Sequence, residues 1–434
     1  MKYLALCLIL LTLFSQNSFS NTLDQQIEAL VKEHNLIPLD PIKRDEVELV
    51  RLGAMLFHET ELSGERNISC NICHHPRFGT GDALPFSIGE GGEGIGTNRK
   101  QMSGGVTKRH SPHLINLGYS DIEHMFWDGR VFRDESTGEL QTPEPALNGK
   151  NPKLDKIAKT FSMSLSVQTI FPIVNDLEMK GPKGNDISNT KNNEEAWEAV
   201  MKRLTKGVKS ERYMAQFQKA FPKDKEFHIG HVGESLGIFL KNNFNLVNTP
   251  YDSYLKGNRD AMNESEKRGL VVFATKGKCV ECHQGRHLSN FEFKSVGVPQ
   301  FTWEKIKAPY DQGRYEVTTN KEDLFKFRTP PLRNISITAP FMHNGVFSTL
   351  EEVIQHYTHP RRSIHHFDMS KIDLSAYADK FIFDSDRERN MVRINSIDIP
   401  EVRRGVDLSV QEREDLLKFL STGLLDYRLQ KDRL

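Results

Sequence analysis

Two five-residue stretches, Cys70-Asn-Ile-Cys73-His74 and Cys279-Val-Glu-Cys282-His283, decide how the rest of this sequence is interpreted. In each stretch two residues separate a pair of cysteines, and a histidine follows the second cysteine directly. This C-x-x-C-H pattern is the attachment signature of a c-type haem, because the two thiols bond the vinyl groups and the imidazole ligates the iron. The sequence therefore predicts two covalently bound haem groups.

Paired cysteines also occur in proteins that bind no haem. Four cysteines in two C-x-x-C pairs can form a zinc site, and one pair alone can form a redox-active disulfide. Histidine accounts for only 16 of the 434 residues, yet it follows both pairs. Neither zinc nor disulfide chemistry requires a histidine at that position, so the haem interpretation is the stronger one.

The stretches before the two motifs share one plan. Residues 46–57 and 264–273 each place apolar residues three and four apart, which indicates an amphipathic helix, and each helix leads through a loop into C-x-x-C-H. Asn263 and Glu266 form the pattern of a capping box at the start of the second helix. A helix, a loop and then C-x-x-C-H is how a cytochrome c domain begins.

We therefore predict a mainly α fold of two tandem cytochrome c-like domains, residues 21–255 and 256–434, each with one covalent haem. Alternation typical of strands is scarce, and a last helix is expected from Ser409 to Leu420. Four stretches with many polar residues or glycines and little periodicity are expected to be loops, insertions or connections: 79–105, 131–163, 183–195 and 359–405.

The amino terminus has the pattern of an export signal. Lys2 precedes the apolar run from Leu4 to Phe14, and Ser18 and Ser20 supply small residues for cleavage. The run is too short to span a bilayer, and no later stretch is long and apolar enough to do so. We expect a signal peptide at residues 1–20, cleavage near Ser20 and a periplasmic protein, because bacterial c-type haem is attached outside the cytoplasm.

Charge balance excludes one class of partner. Lys and Arg together number 58, as do Asp and Glu, so the net charge is zero. Nucleic-acid-binding proteins usually carry a basic excess. We expect no nucleic-acid partner.

The sequence also resembles the bacterial di-haem cytochrome c peroxidase and MauG family over nearly all of its mature length. The resemblance rests on the two haem motifs and on a series of further blocks: Leu62-Ser63, Phe126-Trp127-Asp128-Gly129-Arg130, Ser164-Leu165-Ser-Val-Gln168, Glu178-Met179, Arg328-Thr329-Pro330-Pro331-Leu332-Arg333-Asn334 and Thr338-Ala-Pro-Phe-Met-His343-Asn-Gly345.

This resemblance implies roles around the first haem. His74 would be its proximal ligand, Gln168 and Glu178 would form its distal pocket, and Trp127 would lie between the two haems. Cleavage of the peroxide O–O bond needs a proton moved between its oxygens, which a carboxylate can do. From the residues alone, Glu178 could equally be a solvated charge and Trp127 plain core.

The type of residue at position 357 distinguishes two branches of the family. Its peroxidases carry a methionine fourteen residues after the position of His343, as distal ligand of the second haem, whereas MauG has a tyrosine there. This chain has Tyr357 at that spacing and no methionine in residues 349–360. A phenolate stabilises oxidised iron and a thioether favours reduced iron. The alternative is a tyrosine packed in a helix core.

Three further positions bear on the comparison. No histidine occurs in residues 76–109, where many of the peroxidases carry one that blocks the peroxide site, so the first haem is expected to be open. The carbonyls of Thr329 and Pro331 match two calcium contacts of the family, but His110 replaces its calcium-binding asparagine. Gly277 stands where MauG has a tryptophan that relays oxidising equivalents.

The resemblance implies a periplasmic peroxidase-type oxidoreductase of MauG-like character. Hydrogen peroxide would be reduced at the His74 haem, at the expense of a cytochrome c, a cupredoxin or an oxidisable side chain on a protein substrate. Two alternatives stay open. One is a conventional di-haem cytochrome c peroxidase that detoxifies peroxide, and the other is a pure electron-transfer cytochrome with both irons fully ligated.

Overall fold

A computed structural model describes residues 23–134, 136–148, 151–303 and 310–430, and these residues are mainly helical, as predicted. The expected signal peptide and its cleavage near Ser20 lie outside the described residues. The α-helices, in chain order, are α1 (23–33), α2 (Val47–Phe57), α3 (Cys70–Cys73), α4 (Pro152–Ala158), α5 (Ser164–Gln168), α6 (Asn193–Lys206), α7 (Ser210–Ala220), α8 (Ile229–Asn243), α9 (Pro250–Leu255), α10 (Glu264–Ala274), α11 (Tyr315–Thr318), α12 (Leu350–Thr358), α13 (Pro360–His365), α14 (Arg387–Asn395), α15 (Pro400–Arg404), α16 (Val410–Lys418) and α17 (Tyr427–Gln430).

The strands of the described residues are short and pair only as two-stranded antiparallel ladders. Strand β1 (Gly92–Glu93) pairs with β2 (Lys100–Gln101), β3 (Phe132–Arg133) with β4 (Leu140–Gln141), β5 (Phe293–Lys294) with β7 (Phe327–Arg328), and β6 (Phe301–Trp303) with β8 (Phe381–Phe383). The β1–β2 pair lies within residues 79–105, which were predicted to be a loop, and a 3-10 turn at Gly96–Asn98 connects the two strands.

Helices α2 and α10 precede the two cysteine motifs, where the sequence predicted helices. The α10 helix starts with the predicted capping box, in which the Asn263 side chain accepts from Glu266 N and the Glu266 carboxylate accepts from Asn263 N. The predicted last helix is α16, capped by Ser409, and a π-helical turn at Phe419–Gly423 continues it. Capping satisfies amide donors that have no partner inside the helix.

A glycine lets each of the helices α2 and α10 pack closely against a later helix. On α2, a Cβ atom added to Gly53 would clash with the backbone oxygen of Ser235 on α8. On α10, a Cβ atom added to Gly269 would clash with the backbone oxygen of Asp415 on α16. Each haem motif thus follows a helix that packs in the same way against a later helix of the chain.

The buried apolar side chains form two separate cores. The first lies around α2, α5, α6 and α8, and the second around α9, α10, α12 and α16. Ile27 and Leu30 of α1 and Phe86 and Ile88 of the loop before β1 belong to the second core. The chain therefore crosses between the cores more than once, while the boundary near residue 255 stays a prediction.

Residues 359–405 are more ordered than expected. They were predicted to be charged and irregular, but they contain α13, α14 and α15. Ile364, Ile394, Ile397 and Val402 bury their side chains in the second core. These apolar residues are too few and too widely spaced among charges to give a clear helical period. No described helix is long and apolar enough to cross a membrane.

Candidate functional site

The first cysteine motif lies in a large cavity. Cys70 and Cys73 form the single turn of α3, and both line the cavity together with His74. The Nδ1 atom of His74 lies 3.0 Å from the carbonyl oxygen of Thr80 and 3.3 Å from the hydroxyl of Ser111. Because a carbonyl can only accept, Nδ1 carries the proton, which leaves Nε2 as the coordinating atom.

The second motif repeats this arrangement in a second cavity. Cys279, Cys282 and His283 line it, and the two cysteines bound a short 3-10 turn. His283 Nδ1 lies 3.0 Å from the carbonyl oxygen of Leu288, which again leaves Nε2 for coordination. Burial lowers the pKa of both His74 and His283 to about 4, so both imidazoles are neutral, as an iron ligand requires.

The four cysteines fit haem c better than a zinc site or a disulfide. Among the described residues none forms a disulfide, and no group of three or more His, Cys, Asp or Glu side chains could hold a metal ion. Burial raises the pKa of the Cys70 and Cys279 thiols to about 12 and that of Cys282 to about 11, which disfavours the thiolate that disulfide exchange needs. Each cavity instead joins two thiols to one oriented imidazole.

Gln168 and Glu178 line the first cavity with His74. Gln168 ends α5 and is buried. The loop that carries Glu178 is fixed on both sides, because Glu178 N donates to Asn175 O at 3.1 Å and Glu90 N donates to Glu178 O at 2.8 Å. Burial raises the pKa of Glu178, and the nearby Arg130 offsets this only in part. Glu178 is therefore a half-buried residue whose carboxyl group lines the cavity, and not a solvated charge.

Trp127 lines both cavities. Its indole Nε1 donates to His110 O at 2.8 Å, and its own carbonyl accepts from Arg328 N at 2.8 Å. Next to it, Arg109 forms buried ion pairs with Asp128 and Asp311. The half-buried tryptophan is thus both packed and located between the two motifs.

Tyr357, on α12, lines the second cavity with Cys279, Cys282 and His283. Its pKa is raised, first by burial and then by the proximity of the two thiols. Met342 lines the same cavity. That methionine directly precedes His343 and lies outside residues 349–360, so it does not occupy the spacing at which the family's peroxidases carry their methionine ligand.

Two further histidines lie at the site. The sequence singled out His110 only as a replacement for the family's calcium-binding asparagine, and no pattern pointed to His113. His110 lines both cavities and His113 lines the second. Burial lowers the pKa of each to about 4, and His110 Nδ1 lies 2.7 Å from the Leu84 carbonyl, to which it donates. Neither histidine could be assigned to a cavity from its spacing in the sequence. Both lie there because the chain folds around Trp127.

The similarity to known proteins agrees with this geometry. A family model for di-haem cytochrome c peroxidases matches residues 47–260. Cytochrome-c peroxidase IdrP1 of Pseudomonas sp. (strain SCT) is 27% identical over 349 residues, covering 74% of this chain and 75% of the relative. Methylamine utilization protein MauG of Methylorubrum extorquens is 25% identical over 312 residues, covering 71% and 68%.

The chain belongs to the di-haem cytochrome c peroxidase and MauG family. It is an oxidoreductase of the cytochrome-c peroxidase type, and membership implies two c-type haems in two cytochrome c-like domains. A crystal structure of a MauG-like protein associated with microbial copper homeostasis has the same fold. Its TM-score is 0.60 at 24% identity, over 91% of this chain and 94% of that one.

The family's calcium ion fits this chain poorly. The Thr329 carbonyl accepts from the hydroxyl of Ser289 at 2.8 Å, and the Pro331 carbonyl interacts with the His113 ring. His110 replaces the family's asparagine and donates its Nδ1 proton to Leu84 O. Calcium prefers carboxylate, carbonyl and water oxygens, and the imidazole at this position supplies none.

Proposed function

We propose that this chain is a periplasmic di-haem peroxidase-type oxidoreductase of MauG-like character. It would reduce hydrogen peroxide in the cavity of His74 and draw electrons through Trp127 from the cavity of His283. When bound, each haem supplies a redox-active iron. The chain's own side chains bind the peroxide, move its protons and set the properties of the two sites. The proposal does not require calcium.

The first cavity is suited to the proton chemistry. Reduction of hydrogen peroxide to two waters takes up two electrons and two protons. Glu178 would accept the proton of one peroxide oxygen and return it to the departing oxygen, while the buried amide of Gln168 would hold the peroxide in place. The raised pKa of Glu178 suits this exchange, since a proton must be both taken and given.

Tyr357 carries the MauG-like part of the proposal. The single observation in its favour is the presence of the Tyr357 side chain in the cavity of Cys279, Cys282 and His283, close to both thiols. A phenolate ligand would keep the second site at low potential and favour its oxidised state. That property suits a site that releases oxidising equivalents to a partner rather than one that simply accepts electrons.

The test is the ferric electronic and EPR spectrum, with a redox titration, of three proteins. Tyr357→Phe should change the spectrum of the second haem, because it removes the ligand, and Met342→Leu should not. Intact mass should show two haems in every sample. Identical spectra for wild type and Tyr357→Phe would contradict the ligand role. A change in Met342→Leu alone would assign a thioether ligand and favour the conventional peroxidases.

The two other candidate functions predict different behaviour. Steady turnover of hydrogen peroxide with a reduced cytochrome c or cupredoxin would favour a conventional detoxifying peroxidase. Several relatives are named as cytochrome-c or cytochrome c551 peroxidases. A pure electron-transfer cytochrome would show no spectral response to cyanide, because both irons would be fully ligated. For the proposed function, cyanide should shift a high-spin ferric band of the first haem.

A further inference from the structure

The second cavity contains a buried positive charge that no carboxylate of the described residues balances. Arg328 is only 5% exposed and lines the cavity with Cys279, Cys282 and His283. Its Nε donates to the Phe126 carbonyl at 3.1 Å, whereas its Nη1 is buried without a hydrogen-bond partner. An unpaired guanidinium nitrogen in a closed interior is costly unless a missing group completes it.

Arg328 is exceptional among the buried arginines of the described residues. Four of the other five form ion pairs with a carboxylate, and the fifth, Arg99, donates to three backbone carbonyls. These four arginines and their partners are Arg109 with Asp128 and Asp311, Arg203 with Asp186, Arg333 with Asp252, and Arg393 with Asp384.

The position of Arg328 is fixed by its backbone. It is the last residue of β7, which pairs with β5, and its N–H donates to Trp127 O at 2.8 Å. His113, the titratable neighbour whose charge interacts with Arg328, would add positive charge rather than remove it. Burial alone lowers the pKa of Arg328 to about 10, in keeping with a cation that lacks an anion. The chain therefore holds a guanidinium in place for a negatively charged group.

We propose that Arg328 pairs with a propionate carboxylate of the second haem and raises that haem's reduction potential. A covalently attached haem brings two carboxylates into its cavity, and a guanidinium binds a carboxylate through charge-assisted hydrogen bonds. Arg328 is thus a positioning residue, which acts through the cofactor and touches no peroxide. The inference rests on attachment of the second haem at Cys279 and Cys282.

The test compares holoprotein variants at this position by spectroelectrochemical titration. Arg328→Met removes the charge and Arg328→Lys keeps it. Lys294→Met is the matched control, because Lys294 also lines the cavity but has its own carboxylate, Glu292, at 2.9 Å and is partly exposed. The haem concerned is identified as the one that a Cys279→Ala/Cys282→Ala protein lacks.

Arg328→Met should shift the reduction equilibrium of the second haem toward the oxidised form by roughly tenfold, the effect of one unit charge in a buried site. Arg328→Lys should recover most of the shift, and Lys294→Met should cause little. Equal potentials in wild type and Arg328→Met, with two haems by intact mass, would overturn the inference, as would equal shifts in all three variants. A mass of one haem in the wild type would instead refute the second attachment site.

Arg328→Lys also decides the question if Arg328→Met gives no folded protein. Lysine cannot offer the two parallel donors of a guanidinium. The propionate bending bands in the resonance Raman spectrum should therefore shift in Arg328→Lys and stay unchanged in Lys294→Met. Unchanged bands in Arg328→Lys would show that Arg328 does not contact the carboxylate.

Discussion

At the scale of single residues, two carboxylates near Arg130 show how position sets ionisation. Arg130 and Arg109 both pair with Asp128 and hold its pKa below the usual value despite burial. For Glu178 burial outweighs the opposing charge of Arg130, and the pKa is raised. Asp128 is thus a permanent anion, whereas Glu178 can exchange a proton in the peroxide cavity.

Substitution of Glu178 tests that difference. Glu178→Gln keeps the size of the side chain and removes its ability to take a proton, so it should slow the reaction with peroxide by roughly 10²–10⁴-fold. Stopped-flow mixing with hydrogen peroxide gives the rate constant, and intact mass should still show two haems. Asp176→Asn is the matched control, since Asp176 is exposed and pairs with Lys180. A rate equal to wild type would make Glu178 a bystander.

The pH dependence of the same reaction has a definite sign. Glu178 acts as a base in its ionised form, and burial raises its pKa above the ordinary 4.5. The rate constant should therefore be level at neutral pH and fall as pH drops through this raised pKa. The fall should begin at a higher pH than an exposed glutamate would give. Glu178→Gln should abolish this acid limb, and an acid limb that survives the substitution would belong to another group.

Some residues could not be identified from the sequence. The haem-binding cysteines and histidines stand in a motif that is local in the chain, so spacing alone locates them. His113, Arg328 and Met342 line the second cavity only because distant segments fold around it. Arg328 and Met342 stand in the stretches of sequence that resemble the family. No rule of residue spacing, however, predicts that an arginine will be buried without a carboxylate partner.

At the scale of elements, helices with local signals were predictable and helices made by packing were not. The sequence contains a recognisable capping box for each of two helices: Asn263 with Glu266 for α10, and Ser409 with Glu412 for α16. The α13, α14 and α15 helices lack a clear apolar period, and contact with the second core supplies what the sequence pattern does not. Packing also explains the position of α1. This helix stands at the start of the described chain, yet it packs in the second core with residues of the carboxyl-terminal half.

The crossing of α10 over α16 gives a prediction about stability. Gly269→Ala would force a Cβ atom against the Asp415 carbonyl, so the helices must separate. Overpacking of this kind costs about 1–3 kcal/mol of unfolding free energy. The thermal midpoint of Gly269→Ala should fall clearly. The control is Lys418→Ala on the exposed side of α16, which should stay within about 0.5 kcal/mol of wild type. Equal midpoints would mean that the crossing is not tight.

At the scale of the whole molecule, ion pairs join segments that are far apart in the chain. Arg109 pairs with Asp311, Asp252 with Arg333, and Asp121 with Arg286. The first two pairs are almost fully buried, and loss of one partner of such a pair leaves an uncompensated charge at a cost of about 3–5 kcal/mol. Arg109 and Asp311 both line the first cavity, so that pair holds two distant segments of the chain at the cavity wall.

The two motifs also predict the composition of the mature protein. After export with the haem maturation machinery, the intact mass should equal the chain from near Asn21 plus two haems. Cys279→Ala/Cys282→Ala should leave one covalent haem, because each motif attaches its own group. Cys70→Ala/Cys73→Ala is the reciprocal control. A wild-type mass with one haem, or with bound zinc, would contradict the assignment of both cavities.

The last prediction concerns communication between the cavities through Trp127. This side chain lines both of them, and its indole N–H donates to the carbonyl of His110, which lines both as well. Trp127→Phe keeps an aromatic ring in the gap but loses that donor and the easily oxidised indole. Peroxide should still react at the first haem, while the spectral change of the second haem should become slower.

Trp197→Phe is the matched control for this experiment. Trp197 is buried in the first core, lines neither cavity, and also donates its indole N–H to a backbone carbonyl, that of Ile170 at 3.2 Å. Both substitutions therefore delete the same group and one hydrogen bond, but only Trp127 lies between the two motifs. Stopped-flow traces at wavelengths for each haem measure the two rates after one equivalent of peroxide. If Trp127→Phe and Trp197→Phe slow the second haem equally, the effect is one of packing, and the electrons take another path between the cavities.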